Sequence, residues 1–185
     1  MTPSRITLLS GSLLASLLLS ACSESSVGDS TEASIAQQAT FAFSNTCLAS
    51  LPDFESFQSN ARKASLRPSA DSGNIRSVYL VPNSPVFVGL MDLPGASDVE
   101  VCGLRVKSSK LPSSFGTEIL KAARSATGSG SEEQFSSARF EYAIQLSNGS
   151  LLTHDVKESR DTYSNVFLIT QPVPRERVPS LLSDE

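Results

Sequence analysis

Tryptophan is absent from this chain of 185 residues, histidine occurs once and cysteine three times. Each scarcity removes a class of function. One histidine beside so few thiols leaves too few ligands for a zinc site. Lysine and arginine total 15 but never cluster enough to neutralise a run of phosphates. Arg62, Lys63 and Arg67 make at most a modest basic face, which argues against nucleic-acid binding. Gly128 to Glu133 lacks the Lys and following Ser or Thr of a phosphate loop. Gly128-Ser129-Gly130-Ser131 is not a nucleophile elbow, and no paired acidic motif reads as a calcium loop. No metal ligand set or cofactor site is legible.

What is present begins at the amino end. Arg5 supplies a positive charge, and the apolar runs Ile6 to Leu9 and Leu13 to Leu19 are broken by Ser10, Gly11 and Ser12. This is too short for a stable spanning helix and has the shape of a secretory leader. Leu19-Ser20-Ala21-Cys22 follows at the place where a leader is cut. It resembles the lipobox of bacterial lipoproteins. The resemblance implies cleavage between Ala21 and Cys22, a diacylglycerol on the Cys22 thiol and acylation of the new amine. Two or three such chains hold a protein in a membrane where one holds it only marginally. Ser23 stands where an Asp keeps lipoproteins of this kind in the inner membrane, so it implies an outer-membrane, periplasm-facing location. An ordinary secretory signal ending at Ala21 is the competing reading.

The segment Ser23 to Thr40 has no aromatic residue, no Lys and no Arg. With so little to bury it reads as a solvated tether, giving a lipidated Cys22 and tether over 22–40. The domain is expected over 41–172, and a Pro-bearing tail over 173–185 reads as extended. The net charge of −4 becomes −5 without Arg5, and Glu24, Asp29 and Glu32 of the tether with Asp184 and Glu185 of the tail match those five charges, so the domain itself is near neutral.

With Cys22 given to lipid, Cys47 and Cys102 remain. An even remainder in an exported protein reads as a disulfide, worth about 4 kcal/mol for a loop of this length on the chain-entropy model. A redox or metal pair is the alternative, and it lacks the close thiol spacing or further ligands it needs.

Periodicity predicts an α+β fold: an antiparallel sheet of about six strands with two helices, in the order α-β-β-β-α-β-β-β. The first helix is expected from Ser50 to Leu66, with Ser50 as cap, Pro52 in the first turn, and Phe54, Phe57, Ala61 and Ala64 buried. The second runs from about Pro112 to Ala126, burying Phe115, Ile119, Ala122 and Ala126 and stopping at Gly128. Strands are expected at Ser77–Val81, Val86–Leu90, Val99–Lys107, from Phe140 to Leu146, after Gly149, and at Val166–Thr170. Cys102, Leu104 and Val106 share one face of theirs, so Cys102 points inward. Phe140, Tyr142, Ile144 and Leu146 alternate with the outward Arg139, Glu141, Ala143 and Gln145. At Asn148-Gly149 a two-residue turn would bring polar residues to the buried face. A three-residue loop with left-handed Gly149 pairs Ile144 with Leu152, Tyr142 with His154 and Phe140 with Val156, and is predicted for that reason. Each half is then one helix followed by a meander, the pattern of a diverged duplication.

Phe43-x3-Cys47-Leu48, Pro52-x-Phe54 and Val101-Cys102-Gly103 together resemble small uncharacterised two-cysteine secreted proteins of proteobacteria, over roughly Phe41 to Val106. That resemblance implies the disulfide and the helix, and no activity.

His154 with Asp155 is the only pair resembling acid–base machinery. Neighbours on a strand point to opposite faces, so Asp155 is badly placed to orient His154. The bland reading is a half-buried strand histidine beside Tyr142. The functional expectation is a non-enzymatic, membrane-anchored module that binds an envelope protein or component, without nucleic acid. Its rivals are a small ligand held between the sheet and a helix, and a hydrolase using His154.

Overall fold

The last strands of the two halves of the chain pair with each other, and this sets the architecture. The computed structural model describes residues 27–69, 75–93, 96–108, 111–159 and 162–183. The first half holds α1 (Val27–Asn45), α2 (Phe57–Lys63), β1 (Arg67–Ser69), β2 (Ile75–Leu80), β3 (Val86–Leu93) and β4 (Ala96–Lys107). The second holds α3 (Phe115–Thr127), β5 (Glu133–Phe135), β6 (Tyr142–Gln145), β7 (Ser150–Ser159), β8 (Thr162–Pro172) and α4 (Val178–Leu182). The strands form one antiparallel sheet in the order β1-β2-β3-β4-β8-β7-β6-β5. The mixed fold, the antiparallel sheet and the disulfide stand as expected. The described residues hold eight strands and four helices rather than six and two, because short edge strands and two unforeseen helices were not legible.

Helix α1 overturns the tether from Val27 onward. Ala33, Ala36, Ala39 and Ala42 recur every three residues, and alanine is the best helix former. Ala36, Ala39, Ala42 and Phe43 are buried against α3, β3 and β4. Small side chains bury well when a backbone lies close, so the missing aromatics did not mean missing packing. The first expected helix is shorter than Ser50–Leu66. Leu48–Ser50 forms a 3₁₀ turn, Phe54 is buried in a left-handed conformation (φ 56°), and regular helix starts only at Phe57. A non-glycine residue at that φ cannot continue a helix. Asn60 Nδ2 ties the two parts together by donating to Ser50 Oγ at 3.0 Å. Helix α3 buries Phe115, Ile119 and Ala123, a four-residue spacing that leaves Ala126 exposed. Gly128 (φ 84°) ends it, as expected.

The hairpin from β6 to β7 has the predicted register. Tyr142 pairs with His154 and Ile144 with Leu152, Gly149 has φ 89°, and Leu146 N donates to Ser150 O at 2.8 Å. Phe140 falls just before β6 rather than opposite Val156. The outward face of β6 is a correction: Ala143 and Gln145 are buried. The tail covers them. Val173 N donates to Gly149 O, and Gln145 Nε2 donates to Val173 O at 2.8 Å. Val178, Leu181 and Leu182 then pack beside Val99, Val101, Phe140 and Leu151. The expected extended tail is therefore helical and docked, and three buried aliphatic side chains at about 1.5–3 kcal/mol each explain why.

Two layers result. Helices α1, α2 and α3 pack on one face of the sheet, with Phe43, Phe57, Phe167, Leu104 and Ile119 at the centre of that core. The C-terminal segment covers only part of the other face.

Candidate functional site

The part left uncovered is a cleft. Along β4 the residues Val101, Gly103, Arg105 and Lys107 alternate away from the helices. Gly103 pairs with Gly89 on β3 and with Leu168 on β8. Two glycines side by side leave the floor of the sheet without side chains, and a hollow of about 240 Å³ lies over them. Val78, Met91 and Val166 wall it. An added Cβ on Gly103 would lie 2.6 Å from Met91 Cε, so the methionine methyl rests directly on this floor.

The rim is basic. Arg105 faces Phe87 across β3 and Val166 across β8, and Lys107 faces Ser164, which faces Lys157. Arg105 donates to Ser164 Oγ from Nε and Nη2, at 3.4 and 3.3 Å. Lys107 Nζ stands 5.1 Å from the centroid of the Phe87 ring. The acid of this row is Asp155, 3.6 Å from Lys157 Nζ. Among the described residues, three cations against one carboxylate leave an excess of positive charge above an apolar floor. Such a site can hold an apolar group beneath an anionic one. The sequence showed alternation along β4 but not that Gly89 meets Gly103, which needs the register of two strands.

His154 lies elsewhere, on the helix side of β7. Its ring stacks on Phe167 at 4.2 Å between centroids and lies 5.3 Å from Tyr142, in a nearly buried position. Nδ1 stands 3.0 Å from Glu141 Oε2 and Nε2 3.1 Å from Asn165 Oδ1. Asp155 is on the opposite face, as expected. Glu141, expected on the outward face, reaches His154 because it precedes β6, where strand alternation no longer sets its direction. The nitrogen that would take a proton from a nucleophile thus faces an amide oxygen. Tyr142 is pushed well above the ordinary range of a phenol, mainly by burial and further by Glu141. Its hydroxyl is buried without a hydrogen-bond partner among the described residues.

The Cys47–Cys102 disulfide is present, with 5.5 Å between α-carbons. Ala21 and Cys22 lie outside the described residues. Among the described residues, no helix is long and apolar enough to cross a membrane. The interface between the sheet and the helices, where the rival small-ligand reading would place its ligand, is filled by buried side chains; the cleft is on the other face. Comparison with family models, curated proteins and solved structures finds no match.

Proposed function

We propose that this chain is a non-enzymatic lipoprotein, anchored through Cys22 and facing the periplasm from the outer membrane, that binds an envelope component on the helix-free face of its sheet. The cleft over Gly89 and Gly103 carries this reading, because it joins an apolar hollow to Arg105 and Lys107, neither of which pairs with an acid among the described residues. The lipobox-like Leu19-Ser20-Ala21-Cys22 supports the anchor, and the mass of the processed chain tests it: a chain starting at a triacylated Cys22 is expected.

The anchor also gains a new mechanical sense. Helix α1 begins five positions after Cys22, and five residues span at most about 18 Å when fully extended. A domain so attached works close to the bilayer rather than ranging from it.

The experiment separates this reading from the hydrolase. In a strain lacking its own copy, His154→Gln is expected to restore competitive growth as fully as the native chain. Lys107→Glu with Lys157→Glu, both exposed and away from the core, is expected to fail. The opposite order would move the function to His154.

A further inference from the structure

We propose that the cleft takes a single-chain anionic amphiphile, with its apolar chain over Gly89 and Gly103 and its carboxylate or phosphate head between Arg105, Lys107 and Lys157. The inference rests on the binding reading above and names the class of what is bound.

The body of the ligand follows from the floor. The hollow lies over the middle of the sheet, across β2, β3, β4 and β8, where the ladders on both sides of β4 are continuous. Peptides bind sheets by adding to an edge, where unpaired N–H and C=O groups receive their own. Here the edges are β1 and β5, and β1 lies behind the β2 wall, with Ser69 opposite Val78, rather than on the glycine floor. A peptide laid over the glycines would leave buried amides without partners, at a cost that an acyl chain, having no polar groups, does not meet. The walls Val78, Met91 and Val166 offer it apolar contacts.

The head follows from the rim. Arg105 spends two donors on the neutral Ser164 and keeps the rest of its fork. Lys107 has an aromatic face rather than an acid beside it. Among the described residues only Lys157 is engaged with a carboxylate, Asp155, at 3.6 Å. A cationic head would meet an excess of like charge, and a neutral one would leave Arg105 and Lys107 without a counter-charge. Met91 supplies the adjustable part: its flexible thioether end rests where a Cβ of Gly103 would be, so its rotation deepens the hollow along the floor.

Met91 also supplies the probe. The chain has two methionines, and Met1 lies in the expected leader. The chain isolated from membranes, labelled at the methionine methyl carbon and held in phosphatidylcholine nanodiscs, is titrated with dodecanoate and with dodecyl phosphate. Both are expected to shift the Met91 resonance saturably. Dodecyltrimethylammonium, which enters the bilayer equally well, and inorganic phosphate are expected to leave it in place. Lys107→Gln with Lys157→Gln is expected to weaken binding about tenfold, as the loss of charge-assisted contacts implies. Gly103→Val is expected to abolish it. A shift by dodecyltrimethylammonium as large as by dodecanoate would overturn the proposal, as would one by inorganic phosphate alone. A shift by an acidic peptide and not by dodecanoate would overturn the amphiphile and leave the binding reading standing. No shift with any probe would overturn the amphiphile too, and the fate of the binding reading is then decided separately by the growth comparison of the rim and His154 variants.

Discussion

Cys47 and Cys102, 55 positions apart in sequence, are joined by a disulfide that fastens the end of α1 to the strand forming the cleft floor. Cys102 is fully buried on the helix side, while its neighbour Gly103 opens onto the other face. One strand therefore carries the principal covalent brace and the candidate site back to back. Replacing both cysteines by alanine is expected to lower the unfolding free energy by about 2–4 kcal/mol, through the larger entropy of the unbridged unfolded chain. Urea denaturation checks this, and a double variant as stable as the native chain would contradict it.

Helix α1 gives a sharper test of the corrected amino-terminal segment. Ala39 is fully buried and Ala33, six positions earlier on the same helix, is exposed. Ala39→Glu places a charge in the core and is expected to cost about 2–4 kcal/mol. Ala33→Glu is expected to stay within about 0.5 kcal/mol of native stability. A solvated tether would tolerate both changes equally.

The docked tail is held by charge at two points, Arg175 on Glu133 and Arg177 on Asp98. Arg177 donates to Asp98 Oδ2 and Oδ1 at 2.6 and 3.0 Å, and this holds the Asp98 carboxyl below its ordinary value. A carboxyl depressed by folding lends stability that is complete above its unfolded pKa and is lost as pH falls through the folded one. The pair is thus intact at neutral pH and fades on the acid side of 3.8. Melting temperature is expected to fall more for the native chain than for Asp98→Asn between about pH 6 and about pH 2. Parallel curves would contradict the linkage.

Much of the sheet was legible because alternation is a local signal. The bulged loop at Gly149 followed from asking which register keeps Leu152 and His154 beside Ile144 and Tyr142. Cys102 faced inward by parity with Leu104 and Val106. Failures came where a partner distant in sequence decided the outcome. Ala143 and Gln145 look half-exposed until α4 is known to cover them. The tail read as extended through its prolines, although Val178, Leu181 and Leu182 already had one-face helical spacing. Alanines at 36, 39 and 42 carry little hydrophobicity and were passed over for that reason. The cleft was not legible at all: Gly89 and Gly103 are 14 positions apart, and only the pairing of β3 with β4 makes them one floor.

The claim on which the account turns is that the helix-free face is the working surface in the cell. Lysine acetylation in native membranes, compared with the purified chain, tests it most directly. Lys63 and Lys121 lie on exposed turns of α2 and α3 and serve as references. Lys107 and Lys157 are expected to react severalfold more slowly in membranes while the references are unchanged. Equal reactivity of all four lysines in both preparations would contradict the account.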